Sequence, residues 1–174
     1  MTLEQFRKSD MLLVCGLPGS GKSYFAKKYF AKSGRKRVSR KEIRRSLYEM
    51  FTFNDKWSEE KFDLVDENLV KHIEKKTIEQ LFQLGEQLLI DNLSISASSR
   101  EAYVSMAVRN KKTISAIFIN TDLATCLKRN RGRAPEDIVA ESIISNLVAA
   151  IEYPDRREGF KDVLVIDKFE DELK

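Results

Sequence analysis

Short, nearly unbroken apolar runs alternate along the chain with longer stretches whose apolar residues recur at three- and four-residue spacing. The short runs suit strands buried on both faces, and the 3–4 spacing suits helices with one buried stripe. The pattern predicts strands over 11–15, 36–39, 87–91, 113–119 and 163–166. Between them it predicts helices from Lys22 to about Ala31 and over about 40–51, the second with Ile43, Leu47 and Phe51 on one face. Ser58, ahead of Glu59 and Glu60, caps a long helix with a stripe of Phe62, Val65, Leu69 and Ile73, ended by Gly85. Ser98 and Glu101 form a capping-box pattern for a helix to about Asn110. Thr121 or Asp122 caps the next helix, with Leu123, Cys126 and Leu127 inward, and Pro135 opens a last one reaching about Ile151. Strands alternating with helices in this way predict a three-layer α/β domain, a five-stranded parallel sheet with helices on both faces.

Composition narrows the class. A chain of 174 residues is expected to form one domain over 1–174, long enough for a proper core. No apolar stretch is long enough to cross a bilayer, and MTLEQFRKSD has no apolar signal region, so a cytoplasmic protein without membrane attachment is expected. Cys15 and Cys126 lie in apolar patterns and are expected as reduced, packed thiols. His72 is the single histidine, mid-helix, and no Cys/His cluster suggests zinc. Net charge is +4, yet residues 27 to 45 hold ten Lys or Arg against one acid, Glu42. That segment is either a pair of solvated helix faces or a surface for a polyanion. In the loop that follows, Phe53 and Trp57 are candidates for stacking on a base.

The chemistry begins at Gly16-Leu17-Pro18-Gly19-Ser20-Gly21-Lys22-Ser23, which fits G-x-x-x-x-G-K-[ST] in full, directly after a predicted strand and opening a predicted helix. Such a loop turns successive N–H groups toward phosphate oxygens at a helix N-terminus. Lys22 would reach the β and γ phosphates of ATP, and Ser23 would ligate Mg²⁺. Asp91 ends the run LLID, at the sheet edge where open α/β folds bind ligands, as a second metal ligand or a group facing the acceptor. Arg129, Arg131 and Arg133 alternate at a helix end running into Gly132 and Pro135, which predicts a short lid over about 129–137 whose guanidinium groups face phosphate charge.

Taken in order, GLPGSGKS, VSRKEIRRSLYEM, LLIDN and LATCLKRNRGRAPEDI resemble the polynucleotide 5′-hydroxyl kinase domains of phage and bacteria, and more broadly the P-loop kinases of the adenylate-kinase-like fold, over about residues 11 to 150. The resemblance implies strand order 2-3-1-4-5, phosphoryl transfer from ATP to a hydroxyl, and Arg131 on the donor phosphates with Arg129 and Arg133 beside it. The family's acceptor block is (Ser/Asn)-(Arg/Ser)-Asp-x-x-Arg. Aligning Ser39, Arg40 and Arg44 puts Lys41 at the position of that Asp, and moving the register by one gives Glu42 and Arg45 the same acid-x-x-Arg spacing. The expected catalytic set is therefore Lys22, Glu42, Asp91 and Arg131, with Arg40, Arg44, Arg45 and Asn92 on the acceptor. The expected acceptor is the 5′-OH end of RNA or DNA. The alternatives are a kinase for a small metabolite, nucleotide or charged tRNA, and a nucleotide-gated nucleic-acid-binding ATPase.

Overall fold

The computed structural model describes residues 3–167. Its centre is a parallel sheet in the order β2-β3-β1-β4-β5, made of β1 (Met11–Cys15), β2 (Lys36–Val38), β3 (Leu88–Asp91), β4 (Ile114–Ile119) and β5 (Val163–Ile166). Side chains alternate across a strand, so β1 serves two cores at once. Leu12 and Val14 face Phe25, Ala26 and Phe30 of α2 (Lys22–Phe30), together with Phe6 of the short α1 (Glu4–Arg7). Met11, Leu13 and Cys15 face the other way, onto α4 (Glu67–Gln83) and α5 (Ala97–Arg109) through Ile78, Phe82, Tyr103 and Met106. A third cluster joins Leu47 and Tyr48 of α3 (Arg40–Phe51) to Trp57, Val65 and Val70. Helices thus cover both faces of the sheet in the expected strand order. The chain leaves central β1 toward β2 and β3 and returns on its far side as β4, which sets a crevice at the carboxyl end of β1.

Several helix boundaries depart from the sequence pattern. The long helix expected from Ser58 is two pieces, a 3-10 segment over Glu59–Leu64 and then α4, capped by the Asp66 side chain, which accepts from Leu69 N at 2.9 Å. Val65 between them is extended and buried with Trp57, so tertiary packing overrides the local stripe. Phe62 and Leu69 accordingly stay partly exposed, while Val70, Glu74, Ile78 and Phe82 form the buried face. In α3 the inward residues are Arg44, Leu47 and Tyr48, and Phe51 is exposed. Ser96, not Ser98, caps α5, in a reciprocal box with Ser99. Pro135 opens only a 3-10 turn to Asp137, and α7 (Glu141–Val148) starts afresh. The cause is Asn130, fully buried in α6 (Leu123–Arg131), whose amide bonds both the N–H and the carbonyl of Val139 and so takes them out of a continuous helix.

Candidate active site

The crevice holds the loop Gly16–Gly21. Gly16 N donates to Leu93 O at 3.0 Å, and Ser20 N donates to Leu17 O at 3.1 Å. From the far side, Thr121 Oγ1 (2.8 Å) and Arg129 Nη1 (3.1 Å) both donate to Ser20 O, tying the loop to α6. Gly19 has φ +83° and lies so close to α6 that a Cβ there would stand 2.3 Å from Cys126 O. Ser20 Oγ is buried without a hydrogen-bond partner among the described residues, a polar group left for a ligand to satisfy.

Lys22, half-buried, donates from Nζ to Leu17 O at 3.2 Å. Burial pushes its pKa below the ordinary lysine value; Asp91 opposes the shift, while Arg133 and Lys41 add to it. Arg133 and Lys41 thus add positive charge around Lys22, Lys41 being itself paired with Glu59 and Asp137. Phosphate oxygens at the loop would favour the charged form of Lys22.

Asp91, at the end of β3, has a side chain only 1% exposed. Ser23 Oγ donates to its Oδ1 at 3.2 Å, and Arg37 clasps its Oδ2 through Nε (2.9 Å) and Nη2 (2.7 Å). The hydroxyl and carboxylate are two hard oxygens side by side, a donor set that suits Mg²⁺, which takes one or two protein oxygens and completes its shell with phosphate and water. No cluster of three or more His, Cys, Asp or Glu that could hold a metal occurs among the described residues.

On the α3 side, Arg40 Nε donates to Glu74 Oε2 at 2.7 Å, and Arg40 N donates to Asn92 Oδ1 at 2.9 Å. Asn92 Nδ2 bonds Glu74 Oε1 (2.6 Å) and Tyr103 OH (2.7 Å), closing a buried polar knot that fixes the start of α3 to the end of β3. Burial raises the Tyr103 pKa, reinforced by the Glu74 carboxylate beside it. Arg44 is buried, paired to Glu67 and stacked on Phe62 at 4.0 Å, and Arg45 pairs with Glu49 along the helix. Glu42 is largely exposed, its Oε1 3.6 Å from Arg37 Nη1. Lys41 reaches Glu59 (2.9 Å) and Asp137 of the lid (2.8 Å).

The basic segment is mostly answered from within the chain. Lys36, Arg37, Arg40, Lys41, Arg44 and Arg45 all pair with carboxylates. Arg35 caps the carbonyls of Phe6, Arg7, Ser9 and Leu88. Trp57 is a core residue, edge-on to Tyr48 at 5.6 Å, and is not available for stacking on a base; Phe53 is 93% exposed. Within the segment expected as a lid, Arg131 bonds Glu141 rather than the P-loop, while Arg129 holds the loop and the charge of Arg133 is felt at Lys22. The structure thus brings together Lys22, Ser23, Asp91, Arg129 and Arg133, and leaves Arg131, Arg44 and Arg45 in pairs of their own. No sequence motif marks Arg37 as the clasp of Asp91, Thr121 as a brace of the loop, or the Glu59–Lys41–Asp137 bridge.

Fold and site together define a kinase-like P-loop domain of the doubly wound α/β class. The chain belongs to the AAA domain family, whose model matches residues 11–153. No curated protein matches it by sequence. Among solved structures it is similar to a Chloroflexus aurantiacus protein assigned to the kinases (TM-score 0.69, 14% identity, 94% of this chain and 91% of that one). It is likewise similar to Chaetomium thermophilum Kti12 in complex with ADP-AlF3 (0.68, 17%, 93% and 91%) and to a sugar kinase from a Janibacter species (0.60, 12%, 90% and 84%). At these identities the likeness is one of fold.

Proposed function

We propose that the protein is an ATP-dependent kinase that transfers the γ-phosphoryl group to a hydroxyl on a small acceptor. The observation that carries this is an intact P-loop, braced to α6 through Ser20 O, with Lys22 at its end and the Ser23–Asp91 oxygen pair beside it. The loop amides and Lys22 hold the donor phosphates. Ser23 and Asp91 hold Mg²⁺, which when bound supplies charge neutralisation of the phosphates. Arg133, with Arg129 behind it, faces the charge that spreads over the transferring group. Asp91 or Glu42 orients the acceptor hydroxyl, and closure of the lid over Lys41 excludes water. Kinases among the similar folds support the reaction class.

A small acceptor is favoured over a polynucleotide end because six of the ten cations in 27–45 already pair with carboxylates. The exposed Phe53 favours the polynucleotide 5′-hydroxyl as a second reading, since an aromatic face can stack on a base. The test is a screen with γ-labelled ATP against sugars, small alcohols, tRNA and 5′-OH RNA and DNA, run with Lys22→Ala alongside. Label on a small hydroxyl compound, lost in Lys22→Ala, is the expected result. Hydrolysis to free phosphate with every acceptor would refute the kinase reading. Label on polynucleotide ends, with log affinity falling against log salt at a slope near about −0.7 per phosphate contacted, would establish the second.

A further inference from the structure

A groove runs down the side of the domain away from the phosphate cradle. Ser23, Ala26, Lys27, Phe30 and Ala31 recur at three- and four-residue spacing and so share one face of α2. Opposite them stand Arg35 and Arg37, two residues apart at edge strand β2, with Leu89 of β3 between. Because β2 is only three residues long and Ala26 and Ala31 are small, helix and edge do not close, and a cavity of about 310 Å³ remains. That is the lower end of the range for small-molecule sites. From Ser23 to Ala31 the helix rises about 12 Å, so the groove extends well beyond the metal ligands.

Its chemistry is divided. Phe30, Ala26 and Leu89 belong to the buried core and give an apolar floor. The rim carries Lys27, Arg35 and Arg37 and not one carboxylate. Lys27 has no partner among the described residues, in contrast to the paired cations of α3. Arg35 gives its Nη donors to main-chain carbonyls, which leave its charge uncompensated by any acid except through the neighbouring Asp10. Arg37 is half-exposed, with Nη1 held only by the distant Glu42 at 3.6 Å while Nε and Nη2 serve Asp91. A cationic rim over an apolar floor is complementary to an anion carried on an organic stem.

We propose that this groove binds a phosphomonoester while nucleotide occupies the P-loop, its phosphate between Lys27 and Arg37 and its stem along Phe30, Ala31 and Leu89. Since Arg37 also holds Asp91, occupancy of the groove and of the metal site are linked through one guanidinium, and any coupling between them is reciprocal. The test uses the full chain saturated with a non-hydrolysable ATP analogue and Mg²⁺, titrated with phenyl phosphate and followed by calorimetry and amide shifts in α2. One site is expected, weakened tenfold or more by Lys27→Glu, with the affinity for the analogue unchanged in that variant. Inorganic phosphate, run in parallel, is expected to bind more weakly for want of a stem; equal binding would overturn the phosphomonoester assignment. Absence of saturable binding, equal affinity in Lys27→Glu, or binding seen only without the nucleotide analogue would each overturn the site itself.

Discussion

Gly19→Ala separates two costs that usually arrive together. Gly19 sits at φ +83° with the backbone of Cys126 in the way: a Cβ would lie 2.3 Å from its O, 2.9 Å from its C and 3.0 Å from its Cα. Gly34 has nearly the same backbone conformation, φ +79°, with nothing within 4 Å of the same atom. The left-handed conformation costs an alanine about 1–2 kcal/mol, and that term is common to both substitutions. At Gly19 the carbonyl must also retreat by roughly 1 Å, a backbone shift of the kind that costs about 1–3 kcal/mol in packed interiors. Gly34→Ala should therefore lose about 1–2 kcal/mol and Gly19→Ala about 2–5 kcal/mol.

Urea unfolding followed by far-UV circular dichroism measures both. With a slope of about 2 kcal/mol/M, the midpoint falls by about 0.5–1 M for Gly34→Ala and by about 1–2.5 M for Gly19→Ala. Nucleotide affinity supplies the second measurement. The relief at Gly19 comes from moving the P-loop off α6, which misaligns the amides that face phosphate, so binding should be lost in Gly19→Ala and kept in Gly34→Ala. Equal midpoints for the two variants, or wild-type nucleotide affinity in a folded Gly19→Ala, would show that α6 does not brace the loop.

Burial lowers the Lys22 pKa, whereas bound phosphate favours the charged amine, so nucleotide binding should take up a proton at alkaline pH. Calorimetry in buffers of different ionisation enthalpy reads that uptake, and its absence up to pH 10 would remove Lys22 from the phosphate site. Because the unfolded chain binds this proton more tightly, Lys22 should make the unliganded protein more stable as pH rises from its lowered pKa toward the ordinary lysine value of about 10.4. Burial pushes the Cys15 thiol up to about 12, and Cys126 is also raised by burial, so neither should react with a thiol reagent at pH 8 until urea unfolds the chain; stoichiometric labelling of the native protein would contradict the packing of β1 and α6.

What the sequence makes legible is what neighbours along the chain decide. The P-loop is eight consecutive residues between a buried strand and a helix, and the strands announce themselves because burial on both faces leaves unbroken apolar runs. The start of α4 is not legible in that way. Ser58-Glu59-Glu60 is a good local helix start, and it yields to Val65, which turns extended to reach Trp57 and Tyr48. Asn130 reads as one polar residue on a helix, yet its bonds to Val139 divide the expected C-terminal helix in two. The knot of Arg40, Glu74, Asn92 and Tyr103 joins three helices and the loop after β3, so no window of sequence displays it. Spacing alone also left two readings of the basic segment open, because its partners Glu59, Glu67, Glu74 and Glu86 lie later in the chain.

The lysine at position 41 is best understood through those later elements. Where the resemblance leads to an acid facing the acceptor, this chain has a cation that joins the lid, through Asp137, to the 3-10 segment after α3, through Glu59. Half-exposed pairs of this kind are worth about 0–1 kcal/mol each, so the bridge holds the cleft only weakly. If the donor phosphates sit at Lys22 as proposed, they would compete for the same ammonium, whose charge also helps to depress the Lys22 pKa. Ligand entry would then strengthen the hold on Lys41 from the P-loop side and weaken the one on Asp137. A lysine serves this exchange and a carboxylate would oppose it, since a second acid would repel both Asp137 and the donor phosphates. In the proposed reaction, proton acceptance from a hydroxyl then has to come from elsewhere, and Asp91 and Glu42, joined by the fork of Arg37, are the carboxylates proposed for it.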